Sequence, residues 1–297
     1  MNSSKTEKIG AEEESLTTRV TATRARLNIL RMLEANPAGH VGGALSCIDA
    51  ISVLYGTILN VDPAEPFKAD RDRFLLSAGH KALAQYAVLA ERGFFSEDLL
   101  DQYGGVGTRL GGHPDMAKLP GIEGNTGALG HGLPLAVGMA LGARLRGDNL
   151  GVYVLLGDGE LPEGSNWEAA AIASHYNLSA LTALVDVNGL QISGLTCDVM
   201  SMEPIAAKFE AFGWNVCSVN GHNHEELTAA LTTAQAEMAP SVILMKTVKG
   251  RGIKLIENKV ASHYWKPTRD EIAIAREHLQ EELSELLGQL ADEAELV

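Results

Sequence analysis

Cysteine is scarce in this sequence. Cys47, Cys197 and Cys217 are widely separated and show no Cys-x-x-Cys spacing. That excludes a disulfide framework and fits a reducing cytoplasm, the expected location. Basic charge is also short: Lys and Arg total 24 against 38 Asp and Glu, a formal charge of −14, and no basic stripe gathers along the chain. Nucleic acid is therefore excluded as a partner, because phosphate backbones are held by clustered Lys and Arg. No apolar run approaches the roughly 20 residues a membrane helix requires. The stretch from Met1 to Ser15 is polar and mixed in charge, without the apolar centre of a signal peptide. What is present is ordinary globular material, 45% hydrophobic and 21% charged over 297 residues. A chain of this length can bury roughly three quarters of its unfolded surface as one large domain.

The hydrophobic periodicity predicts alternating strands and helices. Residues 1–15 read as a flexible N-terminal tail, 16–267 as the main domain, and 268–297 as an acidic C-terminal helix on the same domain, opened by the capping box Thr268-x-x-Glu271. Helices are expected over 20–35, 44–59, 80–92, 133–145, 165–173 and 225–237. Strands are expected at 74–77, 151–156, 181–185, 215–219 and 241–248. That alternation predicts an α/β fold, a mainly parallel sheet with helices on both faces and ligands at the carboxyl ends of its strands. The segment from Tyr103 to Gly132 has little helix or strand pattern and is rich in Gly and His. Loops this long are usually functional or disordered, and its composition favours function.

Two of the predicted strands run into polar clusters. The strand at 151–156 leads into Gly157-Asp158-Gly159, and the strand at 181–185 leads into Asp186-Val187-Asn188-Gly189, with Asn188 thirty residues after Asp158. Taken singly, Gly-Asp-Gly is an ordinary turn and Asn-Gly a hairpin signal. Bracketing one βαβ unit, however, they place a carboxylate beside an amide on strands about 4.8 Å apart. A carboxylate, an amide oxygen and a backbone carbonyl suit Mg²⁺ paired with a diphosphate. The spacing is that of the thiamine-diphosphate signature.

Nine histidines occur, four of them among small residues: His40 in Ala-Gly-His-Val-Gly, His80 in Ser-Ala-Gly-His-Lys, His113 in Gly-Gly-His-Pro and His263 in Ala-Ser-His-Tyr. His175 and His278 read as surface residues. His222-x-His224 lacks further zinc ligands at matching spacing and reads as a loop entering a helix. With Thr126-Gly127-Ala128-Leu129-Gly130 and Asn188-Gly189-Leu190-Gln191-Ile192-Ser193-Gly194, these motifs resemble the N-terminal half of transketolase from about Val20 to Pro267.

The resemblance implies a thiamine-diphosphate-binding fold and roles for particular residues. Asp158, the Asn188 side chain and the Leu190 carbonyl would hold Mg²⁺. Gly159 would donate its N–H to the diphosphate. Gly127 and Leu129, with Ala128 between them in the same cofactor contact, would meet the aminopyrimidine. His80 and His263 would line the diphosphate, while His40, His113 and His263 would serve the sugar as catalytic groups. Imidazole suits that work because its unperturbed pKa lies near neutrality. Glu163 and Glu168 match glutamates at the family's subunit interface, although both also read as solvated helix residues.

The implied activity is transfer of a two-carbon ketol unit between sugar phosphates, with thiamine diphosphate and Mg²⁺ as cofactors. Family members carry the activating glutamate in their C-terminal half, which this chain does not contain. The expectation is therefore one part of a split transketolase, joined by a separate C-terminal-half chain, in a heterotetramer. Two places depart from the family pattern: Tyr264-Trp265-Lys266-Pro267 after His263, and His131 near the pyrimidine. Rival expectations are the α subunit of a 2-oxoacid dehydrogenase and a non-catalytic scaffold or regulatory half.

Overall fold

The computed structural model describes residues 3–294. In chain order, helix α1 (Ser3–Ala35) and helix α2 (Val41–Val53) precede strand β1 (Arg73–Leu76) and helix α3 (Ala82–Glu91). After a long irregular segment come α4 (Gly132–Arg146), β2 (Val152–Gly157), α5 (Gly164–His175) and β3 (Leu181–Val187). The remainder is α6 (Thr196–Met200), α7 (Ile205–Ala211), β4 (Asn215–Asn220), α8 (His224–Ala236), β5 (Ser241–Lys246) and α9 (Arg269–Ala294).

The strands form one parallel sheet in the order β1-β2-β3-β5-β4. Its central strands are largely apolar because both faces are covered, as parallel sheets require. Alternate residues divide between two cores. Tyr153 and Leu155 of β2, Leu184 of β3, and Ile243 and Met245 of β5 join the core with α1, α2, α3 and α8. Val152, Val154 and Leu156, Ala183 and Val185, and Val242 and Leu244 face the opposite core with α4, α5 and α7. Asp186 is the one charged residue in β3, and it is fully buried.

Local chemistry sets the helix ends. Asn223 accepts from the N–H groups of Glu225 and Glu226 at the start of α8, satisfying donors that the first turn leaves unpaired. α4 stops at Gly147, whose φ of 75° is the left-handed conformation glycine adopts freely. The capping box at α9 is present: Glu271 Oε2 accepts from the Thr268 N–H at 2.8 Å, and Thr268 Oγ1 accepts from the Glu271 N–H at 3.2 Å.

Two expectations change. The stretch expected to form a loose tail is helical from Ser3 onward, since Glu12–Glu14 favour helix and extend α1 into solvent; Met1 and Asn2 lie outside the described residues. The stretch Val41–Ile58, 18 residues of mean hydropathy 1.5, is apolar enough to resemble a membrane span. It is 83% buried in the protein, which accounts for its composition.

Candidate active site

The carboxyl ends of β1, β2, β3 and β5 open onto a cavity of about 200 Å³. Asp158 follows β2 directly and Asn188 follows β3. Because Gly157 pairs in register with Asp186, the two clusters lie side by side as the spacing predicted. Asp158 Oδ2 accepts from the Gly189 N–H at 2.7 Å across the strands, and Oδ1 from the Gly159 N–H at 2.8 Å. Burial, with the Asp186 charge added, pushes the Asp158 carboxyl up to about 6. The Asn188 amide donates to Asp186 at 3.0 Å, and its oxygen accepts from the Leu190 N–H at 3.1 Å. The Leu190 carbonyl accepts from Lys249 Nζ at 2.9 Å.

This donor set fits a diphosphate with a hard cation. Among the described residues no three His, Cys, Asp or Glu side chains gather as a metal cluster. One carboxylate, one amide oxygen and one carbonyl would suit a hard cation that shares its remaining ligands with phosphate and water. The walls are close-fitting where glycine stands. A Cβ on Gly159 would meet Gln191 Cγ at 2.5 Å, and one on Gly79 would meet the backbone of Thr126 and Gly127 at 2.5 and 2.6 Å. Gly127 has φ +144°, and its Cβ would strike the His113 ring at 2.7 Å. Gln191, which lines the cavity, has its Oε1 buried without a partner among the described residues.

Above this ledge the imidazoles converge. The His40 ring centroid lies 5.3 Å from that of His80, 5.2 Å from His263 and 6.4 Å from His113. Two backbone hydrogen bonds between Gly39 and Trp265, 3.2 and 3.0 Å, tie His40 to the His263 segment. The Tyr86 hydroxyl donates to the His113 carbonyl at 2.8 Å and anchors the long loop. Burial, reinforced by Lys81, lowers His80 to about 2. Burial and Lys249 lower His263 to about 4. His40 is lowered by burial and by His113. All three are neutral near pH 7, each with one nitrogen to donate and one to accept.

His40, His80, Gly127, Leu129, Asp158, Gly159, Asn188, Leu190 and His263 line the cavity. His113 sits at its edge through its contact with His40 and Gly127. Ala128 is exposed and off the wall, and Glu163, just before α5, and Glu168 on it are exposed outside the cavity. His222 and His224 bind Asp49 at 2.7 and 3.3 Å beside Arg26, in a separate cavity of about 280 Å³. His222 stands in the loop before α8 and His224 is its first residue, the loop-to-helix position expected of them.

Sequence reasoning missed Lys81, Glu160, Asp186 and Lys249. Glu160 is buried, accepting from the Ser77 hydroxyl and from the N–H groups of Gly130 and Gly157 at 2.9 and 3.2 Å. Lys81 pairs with Asp186 at 2.6 Å. Three of the four lie within two residues of a motif residue, and that proximity was the available signal.

Residues 17–285 match the family described as transketolase, thiamine diphosphate binding domain. The chain is 43% identical over 253 residues to an apulose-4-phosphate transketolase subunit of Actinobacillus succinogenes, covering 84% of this chain and 92% of that protein. It is 42% identical to a 6-deoxy-6-sulfo-D-fructose transketolase subunit of Clostridium sp., covering 82% and 88%. Human transketolase is 40% identical over 82% of this chain but only 39% of its own length. The structure of Campylobacter jejuni transketolase superposes with a TM-score of 0.83 at 30% identity, covering 88% of this chain and 43% of that one. The match to subunit-sized relatives along most of their length, and to less than half of the longer ones, sets aside the 2-oxoacid dehydrogenase alternative: the chain belongs to the transketolase family.

Proposed function

We propose that this chain is the diphosphate-binding half of a two-chain transketolase, using thiamine diphosphate and Mg²⁺ and completed by a C-terminal-half chain that brings the activating glutamate. The observation that carries this reading is the Asp158–Asn188–Leu190 ledge lying directly under the His40, His80, His113 and His263 rings. Relatives of similar length that are themselves named as transketolase subunits support a partner chain. A heterotetramer in the cytoplasm is part of the proposal, with Glu163 and the exposed Glu168 and Ile172 of the α5 helix that follows it as contact surface.

Thiamine diphosphate, when bound, supplies the electron sink that lets a ketose carbon–carbon bond break. The chain's own residues do the rest. Asp158, Asn188 and the Leu190 carbonyl hold the cation, and the Gly159 N–H and Lys249 meet the diphosphate. His40, His113 and His263 hydrogen-bond the sugar hydroxyls, and the neutral His40 and His263 imidazoles take up and return hydroxyl protons. Tyr264, half exposed, stands edge-on to His40 with centroids 5.1 Å apart and narrows the mouth. The sugars for which two of the relatives are named, apulose 4-phosphate and 6-deoxy-6-sulfo-D-fructose, favour a branched or modified sugar as donor over an ordinary pentose phosphate.

The test is ketol transfer with xylulose 5-phosphate, then with branched and sulfonated ketoses, to ribose 5-phosphate. It is run with this chain alone, with the product of the adjacent gene, and with Asp158→Ala in the mixture. Activity is expected only in the mixture, and Asp158→Ala should abolish it. Full activity of this chain alone overturns the two-chain reading, and an undiminished Asp158→Ala mixture would make the chain a scaffold.

A further inference from the structure

Beneath the ledge lies a charged cluster that does not itself enter the donor set. Asp186 is fully buried, and Lys81 is 3% exposed. Asp186 Oδ2 accepts from Lys81 Nζ at 2.6 Å, from Ser46 Oγ at 2.5 Å and from Asn188 Nδ2 at 3.0 Å, while Oδ1 accepts from the Thr247 hydroxyl. A buried ion pair is a poor source of stability, because desolvating two charges offsets most of their attraction. Placing one in an otherwise apolar strand points to another role.

That role follows from donor and acceptor arithmetic. A carboxylate only accepts, so the end of the Asn188 amide facing Asp186 must be its NH₂. The amide oxygen is thereby turned the other way, where it accepts from the Leu190 N–H and keeps a second lone pair. We propose that Asp186, anchored by Lys81, is a positioning residue that locks the Asn188 amide with its oxygen toward the cavity, so that the site presents a hard oxygen donor. The inference rests on the thiamine-diphosphate and divalent-cation reading above.

Two single substitutions separate positioning from mere support, because both break the same buried ion pair. In Asp186→Ala, the Lys81 ammonium, which shares Asp186 Oδ2 with the amide, loses its carboxylate and competes with the Leu190 N–H for the amide oxygen. It is a donor, so the amide turns its oxygen toward Lys81 and offers NH₂ to the cavity. In Lys81→Met, Asp186 remains an acceptor held by Ser46 and Thr247, and the amide keeps its orientation.

The experiment titrates Mg²⁺ into the full chain with thiamine diphosphate, following binding by calorimetry and recording the Mg²⁺ concentration at half-saturation. Thermal melts without cofactor report stability separately. Both variants should melt lower. The Mg²⁺ requirement should rise about tenfold or more in Asp186→Ala, because the competent orientation becomes a minor population, and stay within about threefold of wild type in Lys81→Met. Equal damage in the two, or a wild-type Mg²⁺ requirement in Asp186→Ala, overturns the proposal. If Asp186→Ala does not fold, Lys81→Met combined with Asp186→Leu, which removes the acceptor without leaving a buried charge, is compared with Lys81→Met alone; a raised Mg²⁺ requirement supports the positioning role and an unchanged one overturns it. Absence of Mg²⁺-dependent cofactor binding in the wild type is a different failure: it removes the cofactor reading, and this inference with it.

Discussion

Among the clustered imidazoles His80 is shifted furthest, to about 2, by burial and by the adjacent Lys81 ammonium. In an unfolded chain the same side chain titrates near 6.5. Between those values the unfolded state binds a proton that the folded state refuses. The stability conferred by neutral His80 is therefore complete above about pH 6.5 and is lost progressively as pH falls toward 2. At ~1.4 kcal/mol per pH unit, acidification to pH 5 removes about 2 kcal/mol through this one residue. His40 and His263, also lowered, act in the same direction. Asp158 opposes them: raised to about 6, it takes its proton in the folded state first and adds stability as pH falls below 6. The wild-type profile sums these effects, so the measurement is a difference. Urea denaturation of wild type and His80→Asn, without cofactor, is compared at pH 7.5 and pH 5. Wild type should lose about 2 kcal/mol more than the variant over that interval. Equal losses would refute the claim that His80 is held neutral by its surroundings.

Two further outcomes follow from contacts already described. Gly79→Ala drives a Cβ into the Thr126–Gly127 backbone, and the neighbouring loop must move. It should weaken thiamine diphosphate binding by about tenfold or more while costing about 1–3 kcal/mol of stability, measured by calorimetry and melting; wild-type affinity would show that the loop gives way freely. Arg26→Met leaves the buried Asp49 carboxylate, held at 2.7 Å by Arg26, with only His222 and His224 as partners. Breaking a buried pair in this way should cost about 3–5 kcal/mol at pH 7, and a loss under about 1 kcal/mol in urea denaturation would mean that the imidazoles suffice.

The sheet was readable because β2, β3 and β5 carry mainly apolar runs separated by helical stretches, and the Asp158–Asn188 pairing followed once β2 and β3 were placed as neighbours. The histidines were readable because small residues flank them. Lys81 and Asp186 were not: each looks like ordinary surface charge in a linear sequence, and only the packing of α2 and β5 on β3 shows that both are enclosed. The start of α1 was misread because a polar, mixed-charge stretch serves equally as tail or exposed helix, and intrinsic propensity decides only weakly between them. Lys249 lies beyond the end of β5, and no local pattern marks it; its meaning comes from the Leu190 carbonyl on the adjacent strand end.

The bridge between Gly39 and Trp265 joins two points far apart along the chain. Pairing them closes a long loop, and the entropic cost of such closure is met only when the intervening structure is already in place. During synthesis, the His40 side of the cavity would wait for its opposite wall until residue 265 has left the ribosome. The sheet and its two cores can form earlier, from strands that are all complete by Lys246. Competence to hold the cofactor is thus a late event in the birth of the chain, and a nascent polypeptide stalled before Trp265 would be folded at its centre yet unable to load.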